Sequence, residues 1–138
     1  MISKNMATIT RWIEERARYS TPIIRISLAL VLLWFGIDEL LHPDAWIGYI
    51  PPWAAPLIPV DLGTFVLFNG LLEIAIGGLL LIGWQARVAA TIAALHLLSI
   101  VIAVGYSDIA VRDLGLAMMA LSLVFSGAGM WSVDNRTR

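Results

Sequence analysis

Residues 66–83 read VLFNGLLEIAIGGLLLIG. The stretch is almost wholly hydrocarbon, yet it holds Asn69 and, near its middle, Glu73. With its lead-in from residue 62 it forms an apolar run of about 22 residues. At about 1.5 Å per residue, such a run crosses a hydrocarbon core of roughly 30 Å. Further apolar runs lie near 23–41, 87–105 and 109–127. The pattern predicts an all-α membrane protein, a four-helix transmembrane bundle.

Composition points the same way. The 138 residues are 59% hydrophobic and 14% charged, with a mean hydropathy of +0.84. A water-soluble domain of this size needs more polar surface. A net charge of −1, with no arginine cluster interleaved with aromatics, sets nucleic acid aside. The chain has no cysteine, which excludes disulfides, iron–sulfur ligation and covalent c-type haem. Electrons in any redox role must therefore travel on a bound small molecule or a partner chain.

Basic residues set the direction. Lys4, Arg11, Arg16, Arg18 and Arg25 precede or begin the first span, Arg87 sits in the turn after the second, and Arg136 and Arg138 end the chain. The segment 42–61 has no Lys or Arg. The positive-inside rule predicts cytoplasmic termini and an outer 42–61 loop. Before the first span, Ile2, Met6, Ile9, Ile13 and Ala17 recur at spacings of three and four among charged residues. This predicts an amphipathic helix at the cytoplasmic surface over 1–21, followed by a transmembrane domain over 22–138. Ser20 or Thr21 ahead of Pro22 reads as a cap and start for span one. The 42–61 loop holds all but one of the prolines, with Trp46, Tyr49 and Trp53. It reads as a short helical turn after Pro43, then a loop over the outer mouth. Two roles stay open for it, interfacial anchor or ligand-capping lid.

The polar side chains fall in two layers. Glu73 lies ten residues before Gly83, and His96 nine after Arg87. Both therefore sit roughly 14 Å from the same end of adjacent antiparallel helices, at mid-membrane. Asn69, Glu73 and Gly77 share a stripe, as do Ala89, Ala93, His96 and Ala103, and small residues turn such stripes toward a neighbouring helix. A second layer comprises Asp38 and Glu39 near the end of span one, and Arg112 and Asp113 near the start of span four. An Asp38–Arg112 pair is expected there, which would account for the one basic residue at the outer end. Each intramembrane charge costs about 2.5–3.5 kcal/mol on insertion scales. The plain reading is a polar network that fixes helix register. The sharper one is a pocket in which Glu73 and His96 meet an amphipathic head group, with Trp34, Phe35 and Leu72 as apolar walls. No metal site is expected, because His42 and His96, the two histidines present, belong to different depths.

The segments RISLALVLLWFGIDELLHP, NGLLEIAIGGLLLIG, AALHLLSI and VRDLGLAMMALSLVFSG, in this order, resemble the DoxX family of small four-helix membrane proteins. The resemblance runs over about residues 22–132. It implies a multi-pass protein of a prokaryotic cell membrane. The family takes its name from a subunit associated with a terminal oxidase and with thiosulfate:quinone oxidoreductase, so a bound quinone and a redox partner subunit are what the resemblance implies. Glu73, Arg112 and Asp113 match its polar positions, whereas Glu39 stands where members often carry a basic residue. Three functions follow as expectations. The first is a membrane subunit associated with quinone-linked redox chemistry, itself catalytic or auxiliary. The others are a structural or assembly subunit, and a small proton-coupled or lipid-handling transporter. The lipid bilayer is the expected surrounding, with a homo-oligomer also admitted.

Overall fold

A computed structural model describes residues 2–137. The chain forms α1 (Ile2–Glu14), α2 (Ser20–Leu41), α3 (Pro43–Ile47), α4 (Leu62–Ile82), α5 (Ala86–Val104) and α6 (Asp108–Ser126). Short 3-10 turns cover Ala17–Tyr19 and Ala55–Leu57. Four helices, α2 and α4 to α6, are long and apolar enough to cross a membrane. They alternate in direction, so the start of α2, the 83–85 turn and the segment after α6 share one end, here the terminal end. The 42–61 segment and the 105–107 turn share the other, the loop end. Large apolar side chains such as Leu30, Phe68, Leu95, Ile102 and Phe125 point outward and stay exposed. Such a surface suits lipid and not water.

In lipid the apolar side chains gain nothing by leaving their solvent, so close packing has to hold the spans together. α2 and α4 achieve it through glycine. A Cβ added to Gly36 would lie 2.6 Å from the Gly70 carbonyl oxygen, so the two backbones meet with no side chain between them. α5 and α6 achieve it through alanine, with Ala86, Ala89, Ala90, Ala93 and Ala94 buried on one and Ala110, Ala117 and Ala120 on the other. The two pairs join toward the terminal end through Leu28, Ile76, Leu80 and Leu123, with Leu32 and Leu97 packed at the inner edge of the cavity. On the loop-end side they stand apart around a cavity.

Helix ends follow local chemistry in two cases. Asp61 caps α4, accepting from the Thr64 N–H at 2.9 Å, and Ser107 caps α6, accepting from Ala110 at 3.2 Å. Hydrogen bonding from Thr64, side chain before backbone, holds the exposed Asp61 carboxyl below its ordinary pKa. That contribution is present above the unfolded pKa and is lost as pH falls through the folded one. The cap expected at Ser20 or Thr21 does not form. The chain already turns in the helical region at Tyr19 (φ −84°, ψ −13°), and Ser20 Oγ bonds back to the Ala17 carbonyl at 2.7 Å.

The terminal end is closed by a knot around Arg25. Its guanidinium is fully buried and donates to five backbone carbonyls, those of Leu80, Leu81, Ala128, Met130 and Trp131. The segment after α6 thereby folds under the bundle, and Asp134 reaches the start of α5. Its two carboxylate oxygens accept from the N–H groups of Gln85 and Ala86, each at 2.8 Å. Arg25 thus serves as more than the topogenic charge the sequence suggested.

Gly36→Ala is expected to lower stability by about 1–3 kcal/mol by forcing α2 off α4. Gly78→Ala, where an added Cβ meets nothing within 4 Å, should be neutral or slightly stabilising; thermal melts in detergent compare the two. Arg25→Met leaves buried carbonyls without a donor, a loss of about 3 kcal/mol, and limited trypsin digestion should then cut the C-terminal segment sooner than in the wild type.

Candidate functional site

The stripe Leu28, Leu32, Gly36 and Glu39 forms the buried face of α2. On α4 the corresponding face is Val66, Gly70, Glu73 and Gly77. Where these faces part from α5 and α6 they enclose a cavity of about 620 Å³. Its walls are mostly apolar, with Phe35, Phe65, Leu72, Ile100 and Leu116 among them. Seven polar residues also line it, namely Glu39, Asn69, Glu73, His96, Ser99, Arg112 and Asp113.

These polar groups form three small units. His96 Nε2 lies 3.2 Å from Glu73 Oε1, both side chains at most one-tenth exposed, so the contact links α4 to α5 at mid-bundle. The Asn69 amide donates to both carboxylate oxygens of Glu39, at 2.9 and 2.8 Å, linking α4 to α2. Arg112 Nε donates to Asp113 Oδ1 at 2.7 Å, and the guanidinium lies 4.2 Å from the centre of the Phe35 ring. That second contact is a cation–π interaction joining α6 to α2. Two acceptors are left over. Glu73 Oε2 and Asp113 Oδ2 are buried and have no hydrogen-bond partner. A buried, unpaired acceptor costs about 1–3 kcal/mol, and the two residues that carry these oxygens both line the cavity.

The 42–61 segment roofs this space. Trp46, Tyr49, Ile50, Trp53 and Leu57 all line it. Trp46 packs edge-on against Phe35, ring centres 5.6 Å apart, and donates from Nε1 to Asp38 Oδ2 at 2.9 Å. Trp53 Nε1 donates to the Ala103 carbonyl at 3.2 Å, tying the roof to the end of α5. Tyr49 and Trp53 are still 54% and 60% exposed, so the segment keeps the amphipathic surface of an anchor while serving as a cover.

Two expectations about individual residues are corrected. Asp38 does not pair with Arg112. It turns toward its own end of the chain, where it accepts from Trp46 and meets His42 Nδ1 at 3.0 Å. Arg112 is satisfied by its neighbour Asp113 and by Phe35. Trp34 is not a wall of the cavity. One residue is a step of about 100° round a helix, which leaves Trp34 60% exposed on the opposite side of α2, while Phe35 and Leu72 do line the space. Asn69 shares a stripe with Glu73, but its hydrogen bonds go to Glu39. Glu39 itself was missed as a site residue. The signal was Gly70, whose absent side chain gives it room: a Cβ there would lie 3.1 Å from Glu39 Cβ.

A four-span bundle, packed at one end and hollow under an aromatic roof at the other, defines a small integral membrane protein. The chain belongs to the DoxX family, whose model matches residues 21–106. That match ends before Arg112 and Asp113. The chain is also 28% identical over 135 residues to an uncharacterized membrane protein of Mycobacterium tuberculosis, covering 85% of this chain and 80% of the relative. No solved structure matches it.

Replacing Asn69 by Ala should cost about 1–3 kcal/mol, because Glu39 then stays buried with both oxygens unpaired. The double variant Asn69→Ala with Glu39→Leu should recover most of that loss, which a two-by-two set of detergent melts will show.

Proposed function

We propose that the protein is an integral membrane subunit that binds the head group of a quinone-type molecule in the roofed cavity, in support of redox chemistry completed by a partner chain. The carrying observation is that two residues with a buried, unpartnered acceptor, Glu73 (Oε2) and Asp113 (Oδ2), line one largely apolar space of about 620 Å³. Pockets of about 300–1,000 Å³ with apolar walls and a few convergent polar groups are typical small-molecule sites.

The residues present fit such a group. A quinone supplies two-electron, two-proton chemistry when bound. Its reduced form carries hydroxyl donors, which the two unpaired acceptors lack. The Arg112 guanidinium offers donors to a carbonyl. Phe35, Trp46 and Leu72, which line the space, would exclude water from the head group. Glu73 and His96, in contact at 3.2 Å, form a pair in which one group hands a proton to the other, so the chain can take up or release a proton at mid-membrane. The chain has no cysteine, and among its described residues no three metal-ligating side chains gather. This reading gives electron transfer to a partner subunit. In this reading the basic terminal end faces the cytoplasm of a prokaryotic cell, and the cavity opens toward the outer leaflet.

The hollow interior favours a ligand-binding role over a purely structural one, for which the same space would be filled by side chains. Titration of the purified protein with a short-chain quinol should quench tryptophan emission saturably, because Trp46 and Trp53 line the site. Glu73→Gln should weaken that binding by about 10-fold, the size expected for one charged hydrogen bond. Absence of saturable quenching, together with no quinone in organic extracts of gently purified protein, would refute the proposal.

A further inference from the structure

A second recess, of about 510 Å³, lies at the terminal end and shares no residue with the roofed cavity. It is lined by Arg18 from the turn before α2, Arg87 from the first turn of α5, and polar side chains of Ser126, Asn135 and Thr137. Its floor is the backbone of Gly127 to Met130. Asp134 also borders the recess, but both its oxygens are engaged by the Gln85 and Ala86 N–H groups. Neither arginine has a carboxylate partner among the described residues. Arg18 touches only the Tyr19 hydroxyl and ring, and Arg87 donates once, to the Val124 carbonyl at 3.2 Å.

The shape is specific as well as basic. The Arg87 guanidinium lies against Gly127, where an added Cβ would sit 3.3 Å from its Nε. Gly127 also has φ +80°, a backbone form that favours glycine. The arginine is therefore held along the floor by the fold. Trp84 and Trp131, 51% and 65% exposed, adjoin the lining residues Gln85 and Met130 in sequence, with Tyr19, the neighbour of Arg18, packed on Trp131 at 5.7 Å between ring centres. Exposed tryptophans at the end of transmembrane helices mark the headgroup level of a bilayer. Two unpaired guanidiniums at that level, converging from two elements, match a phosphate diester bearing acyl chains.

We propose that this recess binds the phosphate of an anionic phospholipid, with Arg18 and Arg87 as its ligands. The acyl chains run down the apolar outer faces of the bundle. The site is independent of the quinone reading, since it lies at the opposite end and uses none of the same residues.

Native mass spectrometry of the full chain, titrated with phosphatidylglycerol or phosphatidylcholine, tests it. The wild type should prefer phosphatidylglycerol, at roughly 5-fold per arginine and hence about 25-fold for the pair. Arg18→Gln with Arg87→Gln should abolish the preference, and Arg18→Lys with Arg87→Lys should keep most of it. Arg18 is exposed and bonds only to its neighbour, so Arg18→Gln alone gives a folded variant in which the preference should fall part-way. Equal retention of the two lipids by the wild type, or an undiminished preference in the double glutamine variant, overturns the proposal. So does complete displacement of phosphatidylglycerol by millimolar inorganic phosphate, which would make the recess a site for the free anion.

Discussion

Backbone contact between Gly36 and Gly70 is the constraint on which the rest of the bundle depends. It draws α2 and α4 together where a side chain on either residue would hold them apart. That approach brings Glu39 over Gly70 and within reach of Asn69. It also turns Glu73, three residues further along α4, toward α5 and His96. The polar centre is therefore a product of glycine packing. In lipid, where apolar burial offers no net drive, such close approach takes the place of the hydrophobic effect.

The charges inside the spans are handled in two different ways. At the terminal end Arg25 is surrounded by carbonyl oxygens and joins α2, α4 and the C-terminal segment into one body. There no buried side-chain donor among the described residues lacks a partner. Around the cavity the acids are only partly met, because Glu73 and Asp113 each keep one oxygen without a partner. A network whose sole purpose was to set register would gain by completing those bonds or by replacing the acids with apolar side chains. The contrast between a satisfied end and an unsatisfied one is what singles out the cavity as the candidate site.

Much of the fold was legible in residues alone. The four apolar runs and their boundaries follow from bilayer thickness, and Glu73 and His96 could be set at equal depth by counting from the 83–87 turn. The helix caps were not legible in this way: Ser20 or Thr21 was expected to cap a helix, whereas Asp61 and Ser107 do so. Other features were hidden for a definite reason. Asp38 and Glu39 are adjacent, and a step of about 100° decides which one faces the bundle. Nothing local to GIDEL distinguishes them, because the answer lies in Gly70, thirty-one residues away. The same step separates Trp34 from Phe35. The role of Arg25 depended on a C-terminal segment more than a hundred residues distant, which no periodicity could bring near.

Sequence by itself determined the class of the molecule, the number and length of its spans and the depth of each polar residue along its helix. These are one-dimensional quantities, set by hydrocarbon thickness and helical rise. Tertiary structure alone decided which acid faces inward, which partner each finds, and that the loop-end half is hollow beneath Trp46 and Trp53. Those outcomes turn on the rotation and spacing of helices, and these are fixed only when glycine and alanine faces from distant parts of the chain have met.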